Sequence, residues 1–158
     1  MEYDIITKGK TPNESSFYPC DYYTEFPAAC YRYKMRRLIN KSEPPMKYAD
    51  FCMGLNSSQR LGCFHGLGFA LIDKIFKNPG DINNICVFGT KQDQMMCLDG
   101  IAQVASVFNR SAAVMMCRSL LTDLKGYCYN ETELRAYNMK KSLKLYLNES
   151  DLSKTTNQ

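Results

Sequence analysis

The chain has 158 residues, of which 45% are apolar and 23% are charged, so it is long enough to bury one hydrophobic core. Lysine and arginine total 20 against 16 acidic residues, and the resulting net charge of +4, without a dense basic run, gives no indication of nucleic-acid binding. The single histidine, His65, excludes most catalytic triads and histidine-rich metal sites. We therefore expect no metal and no cofactor.

Polarity divides the chain into three parts. Residues 1–16 are polar and without period, which predicts an extended or flexible N-terminal arm. The start at Met1 is acidic and no apolar stretch of a signal peptide follows, so we expect a processed form, an excised ectodomain or a chain that starts without its leader. Residues 17–148 are predicted to form the folded domain and 149–158 a flexible tail. No apolar run approaches the 18 residues of a transmembrane helix.

Cysteines and glycosylation sequons are both frequent. The cysteines are Cys20, Cys30, Cys52, Cys63, Cys86, Cys97, Cys117 and Cys128. The sequons start at Asn13, Asn40, Asn56, Asn109, Asn130 and Asn148. Together they indicate a secreted or cell-surface glycoprotein that carries N-linked glycans and four disulfides. The alternative is a cytosolic protein with buried thiols and accidental sequons.

The spacing of the cysteines recurs four times. Within successive pairs the separations are 10, 11, 11 and 11, and the first cysteines of the pairs follow one another at 32, 34 and 31 residues. A period of about 33 residues is typical of solenoids built from helical hairpins. We therefore predict an all-α fold, a right-handed α-solenoid of four helical hairpins.

Eight cysteines allow about 105 pairings, and hairpin geometry narrows them. Cys52 and Cys63 lie about five residues on either side of a turn at 56–58, so they would face each other in an antiparallel hairpin. Cys63 and Cys86 lie at unequal distances from the turn near residue 79. The predicted bridges are 20–30, 52–63, 86–97 and 117–128, one in each hairpin. Each would stabilise the fold by roughly 2.5–3 kcal/mol through loop closure.

Apolar periodicity and capping signals place the helices. The first helices of the hairpins are expected at 17–24, 46–54, 82–88 and 112–121. The longer second helices that follow are expected at 58–77, 91–108 and 130–147. Asn78-Pro79-Gly80 should end the 58–77 helix, and Thr90 with Asp93 resembles a capping box. Asn130 is a candidate N-cap, with Glu133 at the third helical position.

Serial hairpins with one disulfide each resemble the secreted, cysteine-rich branch of the Sel1-like, tetratricopeptide-type (TPR) repeats. The residues Gly62-Cys63-Phe64-His65-Gly66-Leu67-Gly68 carry this likeness. The chain is also similar to an uncharacterised extracytoplasmic repeat family of prokaryotes with Cys-Tyr-His-Gly-x-Gly-His motifs. The matching segments are Pro19-Cys20, Ala29-Cys30-Tyr31, 63–69 and 97–101, with Phe69 where that pattern has histidine. The resemblance implies an all-α extracellular module without an established reaction.

A polar position recurs two residues after the second cysteine of each pair, at Arg32, His65, Asp99 and Asn130. Stacked hairpins would align Arg32, His65 and Asp99 as a binding face, with His65 and Asp99 near enough to interact. The alternative is a buried histidine with ordinary solvent-facing neighbours. The glycines that follow, Gly66 and Gly100, either permit close backbone packing or border a ligand cleft.

No catalytic residues are predicted, so we expect a protein that is not an enzyme. The expected function is protein–protein interaction or self-assembly, for example as a subunit of an extracellular filament or surface structure. The alternative is an extracellular ligand-binding module that uses the polar face around His65 and Asp99. Aromatic residues between 17 and 33 either complete the core of the first hairpin or form an adhesive surface for a protein partner.

Overall fold

The computed structural model describes residues 17–21 and 25–134. These residues form helices, turns and bends, with no strand among them, so the all-α class is confirmed for this part of the chain. The predicted arm at 1–16 and tail at 149–158 lie outside the described residues. Of the predicted domain at 17–148, residues 22–24 and 135–148 also lie outside them.

The helices follow one another through short connections. They are α1 (Pro27–Leu38), α2 (Pro45–Met53), α3 (Ser57–Ala70), α4 (Ile72–Lys77), a 3₁₀ turn (Pro79–Asp81), α5 (Ile82–Ile85), α6 (Lys91–Phe108) and α7 (Arg110–Ser119). Residues 125–134 are also helical and are called α8 here. Prolines begin α1 and α2. A backbone N–H in the first turn has no hydrogen-bond acceptor within the helix, so its absence in proline costs nothing there. Within the described residues, none of these helices has the length and apolar character needed to cross a membrane.

Four disulfides join segments that are neighbours in sequence. They link Cys20 to Cys30, Cys52 to Cys63, Cys86 to Cys97 and Cys117 to Cys128, with Cα–Cα distances of 5.4–5.5 Å. The predicted pairing is confirmed, and the structure has no free cysteine. In each bridge the second cysteine belongs to one of the helices α1, α3, α6 and α8, and the first lies in the segment before it.

The core lies along α1, α3 and α6. Helix α1 packs on α3, and α3 packs on α6. The helices approach closely because glycines lie at the contacts: a Cβ atom at Gly62 would lie 2.0 Å from the carbonyl oxygen of Ala28, and one at Gly68 would lie 2.0 Å from that of Cys97. The largest fully buried side chains include Tyr31, Met35, Phe64, Leu67, Leu71, Ile75, Leu98, Ile101 and Met116.

The helix predicted at 17–24 is wrong for the residues that the structure describes. Residues 17–21 form a turn in which the Cys20 N–H donates to the carbonyl of Phe17 over 2.7 Å. The side chain of Phe17 is buried although the residue lies in a turn. An apolar residue at this position therefore indicates burial and not a helix.

The predicted 58–77 helix is interrupted at Leu71, where φ is −97° and ψ is 11°. The Leu71 N–H bonds to the carbonyl of Gly68, three residues back, which tightens the last turn of α3. Leu67, Leu71 and Ile75 are nevertheless all buried. The apolar period therefore continues across the break, which explains why it does not reveal the interruption.

The last predicted helix begins too late. Helix α8 includes residues from 125 onward, so Asn130 lies inside it and is not an N-cap. The hydroxyl of Thr122 accepts the N–H of Leu124 over 3.4 Å just before α8, which places the start signal there. Helix α5 is also shorter than the predicted 82–88. Helix α6 has the predicted bounds, and its capping box between Thr90 and Asp93 is present.

Candidate functional site

The structure places His65 in the middle of α3 and brings it to Asp99 of α6. The Nε2 atom of His65 lies 3.5 Å from Oδ2 of Asp99, and the two side chains are 10% and 14% exposed. The Nδ1 atom of His65 is buried and has no hydrogen-bond partner within the described residues. The pair is thus a buried polar contact between two packed helices.

Arg32 does not join this pair through its side chain. Its guanidinium lies over the ring of Tyr33, 5.3 Å from the ring centroid. Its backbone lies against α3 instead, because a Cβ atom at Gly66 would be 2.5 Å from the Arg32 carbonyl oxygen. Asn130, the fourth position of the series, is exposed on α8. The structure therefore brings together His65 and Asp99 and places Arg32 in a separate aromatic contact.

The backbone closes around His65. A Cβ atom at Gly100 would lie 2.0 Å from the carbonyl oxygen of His65 and 3.0 Å from the amide nitrogen of Phe69. Such distances leave no room for a ligand between these backbone segments. The glycines at 66 and 100 thus serve close packing, the first of the two alternatives that the sequence leaves open.

The chemistry available to His65 is that of an imidazole beside one carboxylate. The nearby Cys63 is bonded to Cys52, so it has no thiolate to act as a nucleophile. Within the described residues, no group of three or more histidine, cysteine, aspartate or glutamate side chains is placed to hold a metal ion. The side chains of His65 and Asp99 lie close enough for an electrostatic contact, and their burial suits a role in helix packing.

An ion pair that the sequence reasoning missed connects α3 to α6. Nε and Nη2 of Arg60 donate to the two carboxylate oxygens of Asp93 over 2.9 and 2.6 Å, and Nη1 donates to the carbonyl of Met53 over 3.0 Å. The backbone N–H and hydroxyl of Thr90 donate to the same carboxylate. Burial acts to raise the pKa of Asp93, but the hydrogen bonds from Arg60 and Thr90 outweigh it and hold this pKa below its usual value.

This pair could have been predicted from opposite charges that are about one period of the cysteines apart in the sequence. Arg60 and Asp93 are separated by 33 residues, while the exposed pairs Lys41–Asp73 and Lys91–Asp123 are each separated by 32. These separations match the period of the cysteines. Charges that differ in sign between successive repeats therefore meet across the packed segments.

Four of the six sequons lie in the described part of the chain. Asn40, Asn56, Asn109 and Asn130 are all exposed. Asn13 and Asn148 lie outside the described residues. Asn56 and Asn109 directly precede α3 and α7, and the Oδ1 atom of Asn109 caps α7 by accepting the N–H of Ala112 over 3.0 Å. A glycan on Nδ2 would leave that acceptor in place.

The aromatic residues near the first bridge divide between core and surface. The rings of Phe17 and Tyr31 stack with centroids 4.8 Å apart, and both side chains are buried. Burial and the hydrogen bond to Asp21 raise the pKa of Tyr31. Phe26 and Tyr33, by contrast, are 64% and 51% exposed. Phe17 and Tyr31 therefore belong to the core, whereas Phe26 and Tyr33 lie at the surface.

Comparison of the chain with protein-family models, with curated proteins and with solved structures finds no match in any of the three.

Proposed function

We propose that the chain is a secreted glycoprotein that acts by binding proteins, including further copies of itself, and that it performs no catalysis. Its fold would be a right-handed α-solenoid of four disulfide-stapled hairpins of the Sel1-like, TPR type. Assembly into an extracellular filament or surface structure is the form of this activity that we expect.

Repeated contacts support the solenoid. Ala28 and Gly62 are 34 residues apart, and so are Arg32 and Gly66, so α1 and α3 run in the same direction where they touch. Between α3 and α6 the corresponding contacts are Arg60 with Asp93 and His65 with Asp99. When successive repeats stack on each other, the contacting residues are expected to be a nearly constant number of positions apart in the sequence.

Disulfides and sequons support secretion. The structure closes all eight cysteines into four bridges, which persist in oxidising compartments. The four described sequon asparagines are exposed, as attachment of a glycan requires.

The distribution of exposed apolar side chains is the observation that carries the binding proposal. Large exposed apolar residues are found at Phe26, Tyr33, Met46, Phe51, Phe108, Met115, Leu121 and Leu134. The fully described stretch 52–107 has none of them. Apolar surface at the two ends of the described chain is what end-to-end association would bury, and a head-to-tail contact between copies can extend into an open filament.

Sedimentation velocity over a range of protein concentrations tests this proposal. We expect the wild-type protein to form species larger than the monomer as concentration rises. Phe108→Ser with Leu121→Ser should shift this association to higher concentration by about tenfold. Asn84→Ser, at an exposed site in the middle of the chain, is the matched control. A wild-type protein that stays monomeric at millimolar concentration would contradict self-assembly.

The alternative, a ligand-binding module using Arg32, His65 and Asp99, has one observation in its favour. The buried Nδ1 atom of His65 has no partner among the described residues, and such atoms normally have one. Native mass spectrometry of the secreted protein would test it. A bound molecule that is lost in His65→Ala, while the fold is retained, would favour this alternative over the protein-binding proposal.

A further inference from the structure

Tyr33 replaces a glycine at an equivalent position of the repeat. Three residues after the second cysteine of a bridge, α3 has Gly66 and α6 has Gly100. Gly66 lies against the backbone of α1 and Gly100 against that of α3, so this position receives the preceding helix. In α1 the same position holds Tyr33, which is 51% exposed. The corresponding surface of α1 is therefore open to solvent.

Two arginines of α1, Arg32 and Arg36, lie beside the ring of Tyr33. Helix α1 contains no aspartate or glutamate. The ion pairs of the described residues use other cations, namely Lys41, Lys47, Arg60, Lys91 and Arg110, together with His65. Arg32 and Arg36 take part in none of them. Arg32 and Arg36 thus carry positive charge that no carboxylate of the described residues compensates.

The arginines are held in place by aromatic rings. The guanidinium of Arg36 lies 3.6 Å from the ring centroid of Phe69 and 5.8 Å from that of Tyr33. The guanidinium of Arg32 lies 5.3 Å from the centroid of Tyr33. An arginine stacked on a ring keeps N–H groups available at its edge, and a carboxylate can accept two of them side by side. Because the rings already restrict the side chains of these arginines, the arginines would lose little conformational entropy when they bind an acidic side chain.

Apolar surface is also present at the start of the helix. Phe26, the residue directly before α1, is 64% exposed. A purely ionic partner would leave this ring and that of Tyr33 in water. We call the group Phe26, Arg32, Tyr33 and Arg36 the Tyr33 surface.

We propose that the Tyr33 surface binds a helix of a partner protein, one whose contacting side combines acidic with apolar residues. The helical form follows from the equivalent surfaces of α3 and α6, each of which takes up a helix. The acidic residues follow from the unpaired arginines, and the apolar ones from Phe26 and Tyr33. The tyrosine holds this partner helix farther away than a glycine would, so the contact is made by side chains. The inference rests on the proposed protein-binding function and names the partner's chemistry.

Fluorescence anisotropy with a labelled synthetic helical peptide tests the proposal. The probe carries glutamates beside leucines on one side, and a second peptide has lysine in place of each glutamate. We expect the acidic peptide to bind the full chain with a Kd in the range of about 1–100 µM, more weakly as salt is added. The lysine peptide should not bind.

Variants locate the binding surface. Tyr33→Ser and Arg36→Glu should each weaken binding of the acidic peptide by about tenfold, whereas Lys77→Glu, at an exposed cation elsewhere, should change it by less than about twofold. Circular dichroism checks that each variant is folded, and all three altered side chains are exposed. Equal binding by all variants, or no binding of the acidic peptide, would overturn the inference. Binding of heparin that persists in Tyr33→Ser, without peptide binding, would also overturn it in favour of a sulfated polysaccharide.

These results separate the inference from the proposed function. Self-association and binding of the acidic peptide are measured separately, so failure of one does not imply failure of the other. Phe108→Ser with Leu121→Ser should weaken self-association in sedimentation but leave binding of the acidic peptide unchanged, because neither residue belongs to the Tyr33 surface.

Discussion

Gly100 of α6 lies directly against the backbone carbonyl of His65 in α3. A Cβ atom at Gly100 would be 2.0 Å from that oxygen, well inside the contact distance of a carbon and an oxygen atom. Mid-helix glycine costs about 1 kcal/mol relative to alanine. Gly100 is therefore explained by the close approach of the two helices, which also buries His65 beside Asp99.

Gly100→Ala should lower the free energy of unfolding by about 1–3 kcal/mol, because α6 must move away from α3 to admit the methyl group. The matched control is Gly126→Ala. Gly126 lies in α8 with no atom within 4 Å of the place where its Cβ would be. Alanine there should stabilise the fold by up to about 1 kcal/mol.

Chemical denaturation of the oxidised protein measures both changes. Opposite signs for the two alanine substitutions are the predicted result. Equal effects at Gly100 and Gly126 would mean that the close approach of α3 and α6 is absent in solution.

The Arg60–Asp93 pair should contribute strongly to stability. The carboxylate of Asp93 is only 2% exposed, so Arg60→Ala would leave a buried charge without its partner and should cost about 3 kcal/mol. Lys41→Ala breaks the pair with Asp73, in which both side chains are more than half exposed, and should cost less than about 1 kcal/mol. Urea unfolding of the two variants compares them. A similar small loss in both would contradict the buried geometry of Asp93.

Asp93 should also make stability depend on pH. Its pKa is lowered in the folded protein, because the hydrogen bonds from Arg60 and Thr90 outweigh burial. The unfolded chain has the ordinary value of about 3.9 and therefore takes up a proton first. The stabilisation is complete well above pH 4 and is lost as pH falls through 4 toward the folded pKa.

Thermal unfolding at pH values between about 2.5 and 7 measures this dependence. Asp93→Asn should lose less stability than the wild type over the acid part of the range, so the two curves should converge as pH falls. Parallel curves would show that another group governs the acid response.

Asn83 connects two distant segments through its amide. Its Nδ2 donates to the carbonyl of Ser119 and its Oδ1 accepts the N–H of Leu121, both over 2.8 Å. Asn83→Ala should destabilise the fold by about 1–3 kcal/mol, because it leaves the end of α7 without these partners. Asn84→Ala, at the exposed neighbour, should change stability by less than about 0.5 kcal/mol. Thermal melting of both variants under identical conditions tests this difference.

The sequence predicted the bridges and α6 because their signals are local and repeat. The spacing of Cys52 and Cys63 around one turn recurs in the next two pairs. Thr90 and Asp93 form their capping box within a single turn of helix. Where no such signal is present, the predicted helix bounds differ from those of the structure. Asn130 resembles a cap in sequence but lies within α8, and Phe17 belongs to a buried turn and not to a helix.

Contacts between distant side chains could be predicted only in part. The proximity of His65 and Asp99 follows from their equivalent positions in successive repeats. The position of Arg32 does not follow, because its guanidinium lies over the ring of the adjacent Tyr33. The exposure of Tyr33 also needed the structure, since it depends on which helix precedes α1 in space.

Peptide mapping of the unreduced protein, recovered from the medium of the cells that make it, tests the central claim most directly. We predict four cross-linked peptide pairs, Cys20 with Cys30, Cys52 with Cys63, Cys86 with Cys97 and Cys117 with Cys128, and glycans on exposed asparagines such as Asn40 and Asn109. Eight free thiols, or a bridge from Cys63 to Cys86, would contradict both the stapled architecture and its extracellular role.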